Sequence, residues 1–382
     1  MYTVKSVVKL LDKWIVKNNW IGYDPYDVKG SELYLFLSRN KLAEKIINGL
    51  TRFTPILIRR LLGVRKEANA KAMSLFARGY IQLYYKSREP NYLRKTFYCL
   101  KWLEENYCKG YQNFCWGYPF NWKTRILIPK YTPNIVVTST AGNAFIEAYE
   151  LTKEEKYLRI AESVCRFFLN NLRIDNIDDE RICFSYTPID KFHVHNANLM
   201  AAALLLRVFS HTENTDFKKY AIKALNYSIS DQNKDGSWDY FGPPDKLANH
   251  IDNYHTGFIL ESLLTAKKIL KKEFNYDYNL NKGVEFYIKK LFLKNIIPKF
   301  TNKKIFPIDI HSCAQAIITF SELSKIKSEY KENAEKIADW TIRNMFNKKG
   351  YFYYRIYENF IDKTPYMRWG QAWMLRALSY LD

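Results

Sequence analysis

The 382-residue chain carries 59 Lys and Arg against 39 Asp and Glu, a formal charge of +20, with 47% hydrophobic and 26% charged residues. That composition excludes a disordered chain, and the longest apolar run, LMAAALLL, is far short of the ~20 residues that span a bilayer. Lysines are scattered over the polar faces of many segments, as in KKYAIKAL and AKKILKKE; this reads as diffuse surface charge and argues against nucleic acid, with an anionic membrane surface as the alternative partner.

Aromatic residues reach 16%, with 30 Tyr, 24 Phe and 9 Trp, a content that suits packed helices and equally suits sugar-stacking or apolar cavities. The six cysteines form no CxxC pair, and Met1 opens directly into a charge-interrupted stretch that is no secretory leader. Reduced thiols in a cytoplasmic protein are the expectation.

In chain order, TVKSVVKLLDKWIVKNN is amphipathic and runs into the aromatic turn WIGYDPYD. ANAKAMSLFARGYIQLYY and YLRKTFYCLKWLEENY then read as a helix pair. Five further helix-like runs open on small residues: Ala141 in STAGNAFIEAYEL, Ala197 in HNANLMAAALLL, Thr256 in HTGFILESLL, Ser312 in HSCAQAIITF and Gly370 in WGQAWMLRAL. Their intervals of 56, 59, 56 and 58 residues are too even for unrelated helices.

Each interval repeats three parts. A helix apolar on most sides comes first, as a helix buried between neighbours must be. An amphipathic helix follows; in YKENAEKIADWTIRNMF, Ala334, Ile337, Ala338, Thr341, Ile342 and Met345 share one stripe. A Gly- or Asp-marked turn with aromatic, strand-like flanks closes the unit, as in KDGSWDYFGPP and KKGYFYYRIYE.

The pattern gives six inner-type helices but only five outer-type helices after them, and the N-terminal amphipathic helix supplies the sixth. The expectation is an all-α fold, an (α/α)6 barrel or toroid of six helical hairpins with short β-like turns, one domain over 1–382, with the N-terminal helix closing the ring. An open solenoid of helix pairs is the alternative.

The segments that precede inner helices hold five of the six histidines: DKFHVHN, NHIDNYH and DIH, with TST and YMRW in the equivalent places. His195, His255 and His311 are the candidate acid–base groups, oriented by Asp190, Asp252 and Asp309, because a carboxylate fixes a histidine's tautomer and raises its pKa. Arg368 would favour an anionic ligand; Trp369, Tyr254, Trp238 and Trp116 offer stacking faces; His193, His250 and Gln371 complete the candidate binding set. Any one Asp–His pair can instead be a helix cap. Glu147 and Glu261, inside apolar helices, either reach the funnel or tie down a loop. No spacing of His and Cys matches a metal site, DNIDDE reads as a solvated turn, and GxGxxG, P-loop, GxSxG and HExxH are all missing, so neither metal nor cofactor is expected.

The alternating helices, the His, Asp and Arg at inner-helix onsets and the closing RWGQAWMLRAL resemble the six-hairpin glycosidase-like superfamily, nearest to VpsJ-like proteins of exopolysaccharide synthesis, over most of residues 60–382. The resemblance implies glycoside hydrolase, uronyl hydrolase or sugar epimerase chemistry. With histidines in excess and no evident carboxylate pair, it tilts toward epimerase-like or lyase-like proton transfer. QNKDGSW also resembles the Q-x-x-x-G-x-W motif of terpenoid cyclases, which implies a structural tie between outer helices and turns.

The expected function is therefore carbohydrate-active, an enzyme of polysaccharide metabolism that binds a sugar or oligosaccharide at the toroid mouth. A non-catalytic glycan-binding scaffold is the first rival. An isoprenoid-binding toroid is the second, and it predicts a funnel lined by aromatics in place of polar groups.

Overall fold

The computed structural model describes residues 2–246 and 251–382. Fifteen α-helices occupy them: α1 (Val4–Lys17), α2 (Glu32–Leu37), α3 (Lys41–Phe53), α4 (Pro55–Leu61), α5 (Ala70–Ser87), α6 (Pro90–Glu105), α7 (Ile135–Thr152), α8 (Glu155–Asn171), α9 (His195–Thr212), α10 (Thr215–Ser230), α11 (Asn253–Leu270), α12 (Asp277–Lys290), α13 (Ile310–Leu323), α14 (Tyr330–Met345) and α15 (Trp373–Leu378). A π-helical turn, Met367–Ala372, leads into α15 and completes the last inner helix.

The ring closes. α5, α7, α9, α11, α13 and α15 pack each against the next, and α15 packs back on α5. α6, α8, α10, α12 and α14 form the outer layer, and α1 fills the sixth outer place against α14 and α15. An open solenoid would leave α15 and α5 apart.

The two layers differ because their sequences do. Inner helices bury nearly every side; in α13 only Glu322 fails to be buried. Outer helices bury a stripe, and in α14 the buried residues are the six that the periodicity picks out. Inner-to-outer connections are two residues long after α5, α7 and α9, each beginning with a left-handed residue: Arg88, Lys153 and Glu213. Outer-to-inner connections are long and carry the β-like turns, short antiparallel pairs such as Ile174–Asn176 with Ile182–Phe184 and Phe346–Asn347 with Tyr351–Phe352.

The Q-x-x-x-G-x-W motif ties outer helices to a turn. The Gln232 amide donates to the carbonyls of Gly236 and Asn279, both at 2.9 Å, and accepts from the Asn279 amide at 2.8 Å, which joins the end of α10 to α12. Gly236 sits at φ +92°, where a side chain would be strained. Trp238 donates its indole N–H to the Ser228 carbonyl at 2.7 Å and is buried against Gly283.

The segment α2–α4 belongs to neither layer and carries no repeat signal. Val28, Tyr34, Ile47, Ile58 and Leu62 form a small core of their own beneath it. Arg59 anchors it by donating to the Asp27 carboxylate at 2.9 Å and to the Asp24 carbonyl at 2.7 Å.

Candidate functional site

The N-terminal ends of the inner helices meet in a packed aromatic cluster. Tyr254 stacks on His311 with ring centroids 4.5 Å apart and contacts His255 at 4.2 Å and Trp369 at 5.7 Å. His311 also touches Trp369 at 4.5 Å and Trp373 at 4.6 Å. Its ring nitrogens have no hydrogen-bond partner, and burial first, then the Lys71 and Arg368 charges, hold its pKa well below the ordinary range, so the ring is neutral. Lys71, on α5, is buried between the faces of Phe258 and Trp373 at 5.4 and 5.1 Å, and burial likewise holds its pKa well below that of an exposed lysine. Nothing in the periodicity of α5 marks Lys71 out from the surface lysines.

His255 is the least enclosed member. Asp252 caps α11 by accepting from the His255 N–H at 2.9 Å, and its other oxygen lies 2.6 Å from Nδ1. One carboxylate thus serves as cap and as orienting partner, two roles that the sequence reading set against each other. With Nδ1 committed, Nε2 has no partner among the described residues, and the side chain is 24% exposed. Tyr240 flanks it at 4.6 Å.

Arg368 meets an acid from the other end of the chain. Its Nε and Nη2 donate to the two Asp24 carboxylate oxygens at 2.5 and 2.7 Å, both residues being buried. Asp24 lies in the segment after α1, which therefore crosses the mouth and brings Tyr26 onto Trp369 at 5.3 Å. Arg368 was expected to bind ligand; in this geometry its fork is filled by Asp24.

The other candidates separate. Asp309 caps α13 through the His311 N–H at 2.8 Å and accepts from Trp369 Nε1 at 2.8 Å and Arg355 Nε at 2.6 Å, so it holds Trp369 and does not touch the His311 ring. His195 turns outward, stacking on Tyr227 of α10 with Nε2 2.9 Å from Asp231. His193 sits 2.8 Å from Asp175 through Nε2 and 2.5 Å from the Pro243 carbonyl through Nδ1. Asp190 accepts from Tyr186 N, Phe192 N and Thr187 Oγ1, a turn carboxylate without contact to His195. Trp116 donates to the Leu103 carbonyl at 3.1 Å, deep between α6 and α7. Gln371 pairs with the Phe352 backbone in both directions. His250 lies outside the described residues. The structure therefore brings together His255, His311, Tyr254, Trp369 and Arg368, with Asp252 and Asp309 at the rim.

Open space lies elsewhere. A cavity of about 480 Å³ opens at the C-terminal ends of the inner helices, floored by Phe258 and Trp373. Glu147 is its centre, with Arg78 at 2.9 Å, Arg207 at 3.2 Å and Arg376 at 3.6 Å. Burial alone would raise the Glu147 pKa, but the three guanidiniums outweigh it and hold the carboxyl down to about 2. Arg78 Nη2 also lies 3.9 Å from Glu261, whose other oxygen accepts from Gln315 at 3.1 Å. Both glutamates thus reach the funnel. A second cavity, about 430 Å³, lies beside Arg368 and Asp24 under α2–α4. Beside His255 there is room for about one water, near 10 Å³. Among the described residues no group of three or more His, Cys, Asp or Glu is placed to hold a metal ion.

No family model matches the sequence, and no curated protein does. Solved structures do. A D-mannose isomerase superposes with a TM-score of 0.63 at 12% identity, covering 82% of this chain and 86% of its own. Cellobiose 2-epimerase of Bacillus thermoamylovorans gives 0.62 at 12% identity, covering 81% and 87%. A GH76 α-mannanase of Bacteroides thetaiotaomicron gives 0.65 at 12% identity, covering 82% and 86%. The finer resemblance to VpsJ-like proteins rests on the sequence alone. With its six inner and six outer helices closed by α1, the chain has the six-hairpin (α/α)6 toroid fold of these isomerases, epimerases and glycoside hydrolases.

Proposed function

We propose that residues 1–382 form one toroid domain that acts as a carbohydrate-active enzyme, with His255 as the acid–base group of a proton transfer on a sugar at the N-terminal mouth. The observation that carries this reading is the His255–Asp252 pair: Nδ1 held at 2.6 Å by a capping carboxylate, Nε2 unpartnered among the described residues and partly exposed. A histidine tethered in that way presents one nitrogen in a defined direction, which is what a general base needs. In an open-chain sugar, Nε2 would take the proton from the carbon beside the carbonyl and leave an enediolate. Return of that proton by Nε2 to the neighbouring carbon on the same face, with the hydroxyl proton passing to the former carbonyl oxygen, gives the isomer, whereas the epimer forms where solvent water protonates the opposite face. Tyr240 and Tyr254 pack against His255 and hold its ring in place.

The test is proton exchange with solvent. Purified protein is incubated in D2O with mannose, cellobiose and uronic-acid oligosaccharides, and deuterium at the carbon beside the carbonyl is followed by NMR. Exchange should fall by roughly 100-fold or more in His255→Ala and less in Asp252→Asn. Unchanged exchange in His255→Ala would remove the assignment.

A second reading has its own observation. The 480 Å³ cavity combines ionic side chains with Phe258, Trp373 and Tyr380, a lining suited to sugar hydroxyls and ring faces, yet Glu147 is held ionised and cannot donate a proton near neutrality. That favours a glycan-binding site without chemistry, and sugar affinity lost in Arg207→Ala but kept in His255→Ala supports it. The charged lining runs against the aromatic funnel that isoprenoid binding predicts.

A further inference from the structure

We infer that the outer face of α2–α4 seats the protein on an anionic lipid bilayer surface. α3 is strongly amphipathic, but its apolar side faces away from the protein. Leu42 and Phe53 are 67% and 69% exposed, and Ile46 and Leu50 lie on the same face. Leu57 and Leu61 of α4 continue it, again exposed. The opposite side of α3 is the polar one: the Tyr34 hydroxyl lies 3.3 Å from Glu44 Oε1 and 3.2 Å from Asn48 Oδ1, and only Ile47 is buried there. No outer helix of the ring is arranged in this sense, since each buries its apolar stripe. A contiguous apolar face of this kind marks an interaction surface.

Charge selects the occupant. Residues 38–66 hold eight Lys and Arg against one acid, Glu44. Arg59 is consumed internally by Asp27, which leaves seven exposed cations in the segment, Lys41, Lys45 and Arg52 among them on α3 itself. A second copy docked through this face would set those cations against their own equivalents. Nucleic acid would use the cations and leave the leucines in water. A bilayer with anionic headgroups satisfies both: the leucines and Phe53 enter the acyl boundary while the basic rim meets phosphates. α3, about 20 Å long, lies flat in such an interface. No described helix is long and apolar enough to cross a membrane, so the contact is interfacial.

The experiment is co-sedimentation of the full chain with vesicles of phosphatidylcholine alone or with roughly 30% phosphatidylglycerol. The inference predicts pelleting with the anionic vesicles, at least ~10-fold weaker partitioning with neutral vesicles or at high salt, and loss of ~100-fold or more in Leu50→Glu/Phe53→Glu/Leu57→Glu. Circular dichroism checks that this variant folds; should it not, Lys41→Gln/Lys45→Gln/Arg52→Gln, all at exposed positions, tests the charge arm and should weaken pelleting by ~10-fold. Absence of pelleting at low salt overturns the inference, as does equal pelleting of wild type and a folded variant. A wild-type dimer in solution that the triple Glu variant dissolves overturns it too, because a second copy would then cover the face.

Discussion

The two ends of the same six inner helices are built oppositely. At the N-terminal end side chains fill the axis: His311 is enclosed by Tyr254, Trp369 and Trp373, and the segment after α1 is locked across the mouth by Asp24–Arg368. At the C-terminal end the axis is a cavity of about 480 Å³ bordered by arginines and glutamates. Connection length explains much of the difference. Two-residue links after α5, α7 and α9 cannot reach the axis, whereas 106–134, 172–194 and 346–366 fold back over the other end. Ionic side chains tolerate the open end because water and their own pairing solvate them, while the closed end holds rings, the neutral His311, and charges in buried pairs such as Asp24–Arg368 and Asp309–Arg355. The lesson is that a histidine cluster and an open cavity need not coincide in a toroid, and each has to be tested separately.

The lock across the closed end is the place where the comparison breaks most sharply. Arg368→Ala leaves Asp24 buried without its partner, and it should cost about 3–5 kcal/mol in urea unfolding. A loss below ~1 kcal/mol would show that the aromatic packing shuts the mouth without the ion pair.

At the open end, Glu147 is the keystone of three arginines. Its pKa, about 2 in the fold against an ordinary glutamate value of 4.5, is depressed, so its stabilisation is full above pH 4.5 and disappears as pH falls toward 2. The difference corresponds to a stabilisation on the order of 3 kcal/mol. Glu147→Gln should remove that acid limb, and a variant that keeps it would locate the limb in other carboxylates.

His311 marks the closed end by a smaller, pH-dependent effect. Its folded pKa lies well below 6.5, so on acidification the unfolded chain takes up a proton that the folded chain refuses. Stability should therefore fall below pH 6.5, by up to ~1.4 kcal/mol per pH unit for one proton. Asp27, pushed up to about 7 by burial, acts in the opposite sense over the same window, so the quantity to read is the difference between wild type and His311→Phe. The variant keeps a ring between Tyr254 and Trp373 and should lack this part of the slope.

The ring was legible because its signals are periodic. The spacing of Ala141, Ala197, Thr256, Ser312 and Gly370 located five inner helices, and the surplus of one inner helix placed α1 beside α15. The site was half legible. Asp252 and His255 stand three residues apart across a helix start, so sequence alone puts them in contact. His195 stands one position earlier in its repeat, two residues before Ala197 where His255 stands one before Thr256, and its side chain leaves in the outward direction toward Asp231, because residues one position apart on a helix point about 100° apart. The Arg368–Asp24 pair joins residues 344 apart and has no local signature. Glu147 and Glu261 were visible as acids on apolar helices, but Arg78, Arg207 and Arg376, which decide what they can do, were not.

The face of α3 is the smallest effect and the clearest limit on periodicity. A helical hydrophobic stripe states that two faces differ, and it is silent about which one meets the protein. In α14 the apolar stripe is inside; in α3 it is outside, with Glu44 and Asn48 turned toward Tyr34. Leu50→Lys should accordingly change solution stability by less than ~0.5 kcal/mol, where Ile337→Lys on α14 should prevent folding or cost several kcal/mol. Equal damage from the two substitutions would mean that α3 is covered in solution, and the contrast between ring and appended segment would collapse into a single buried core.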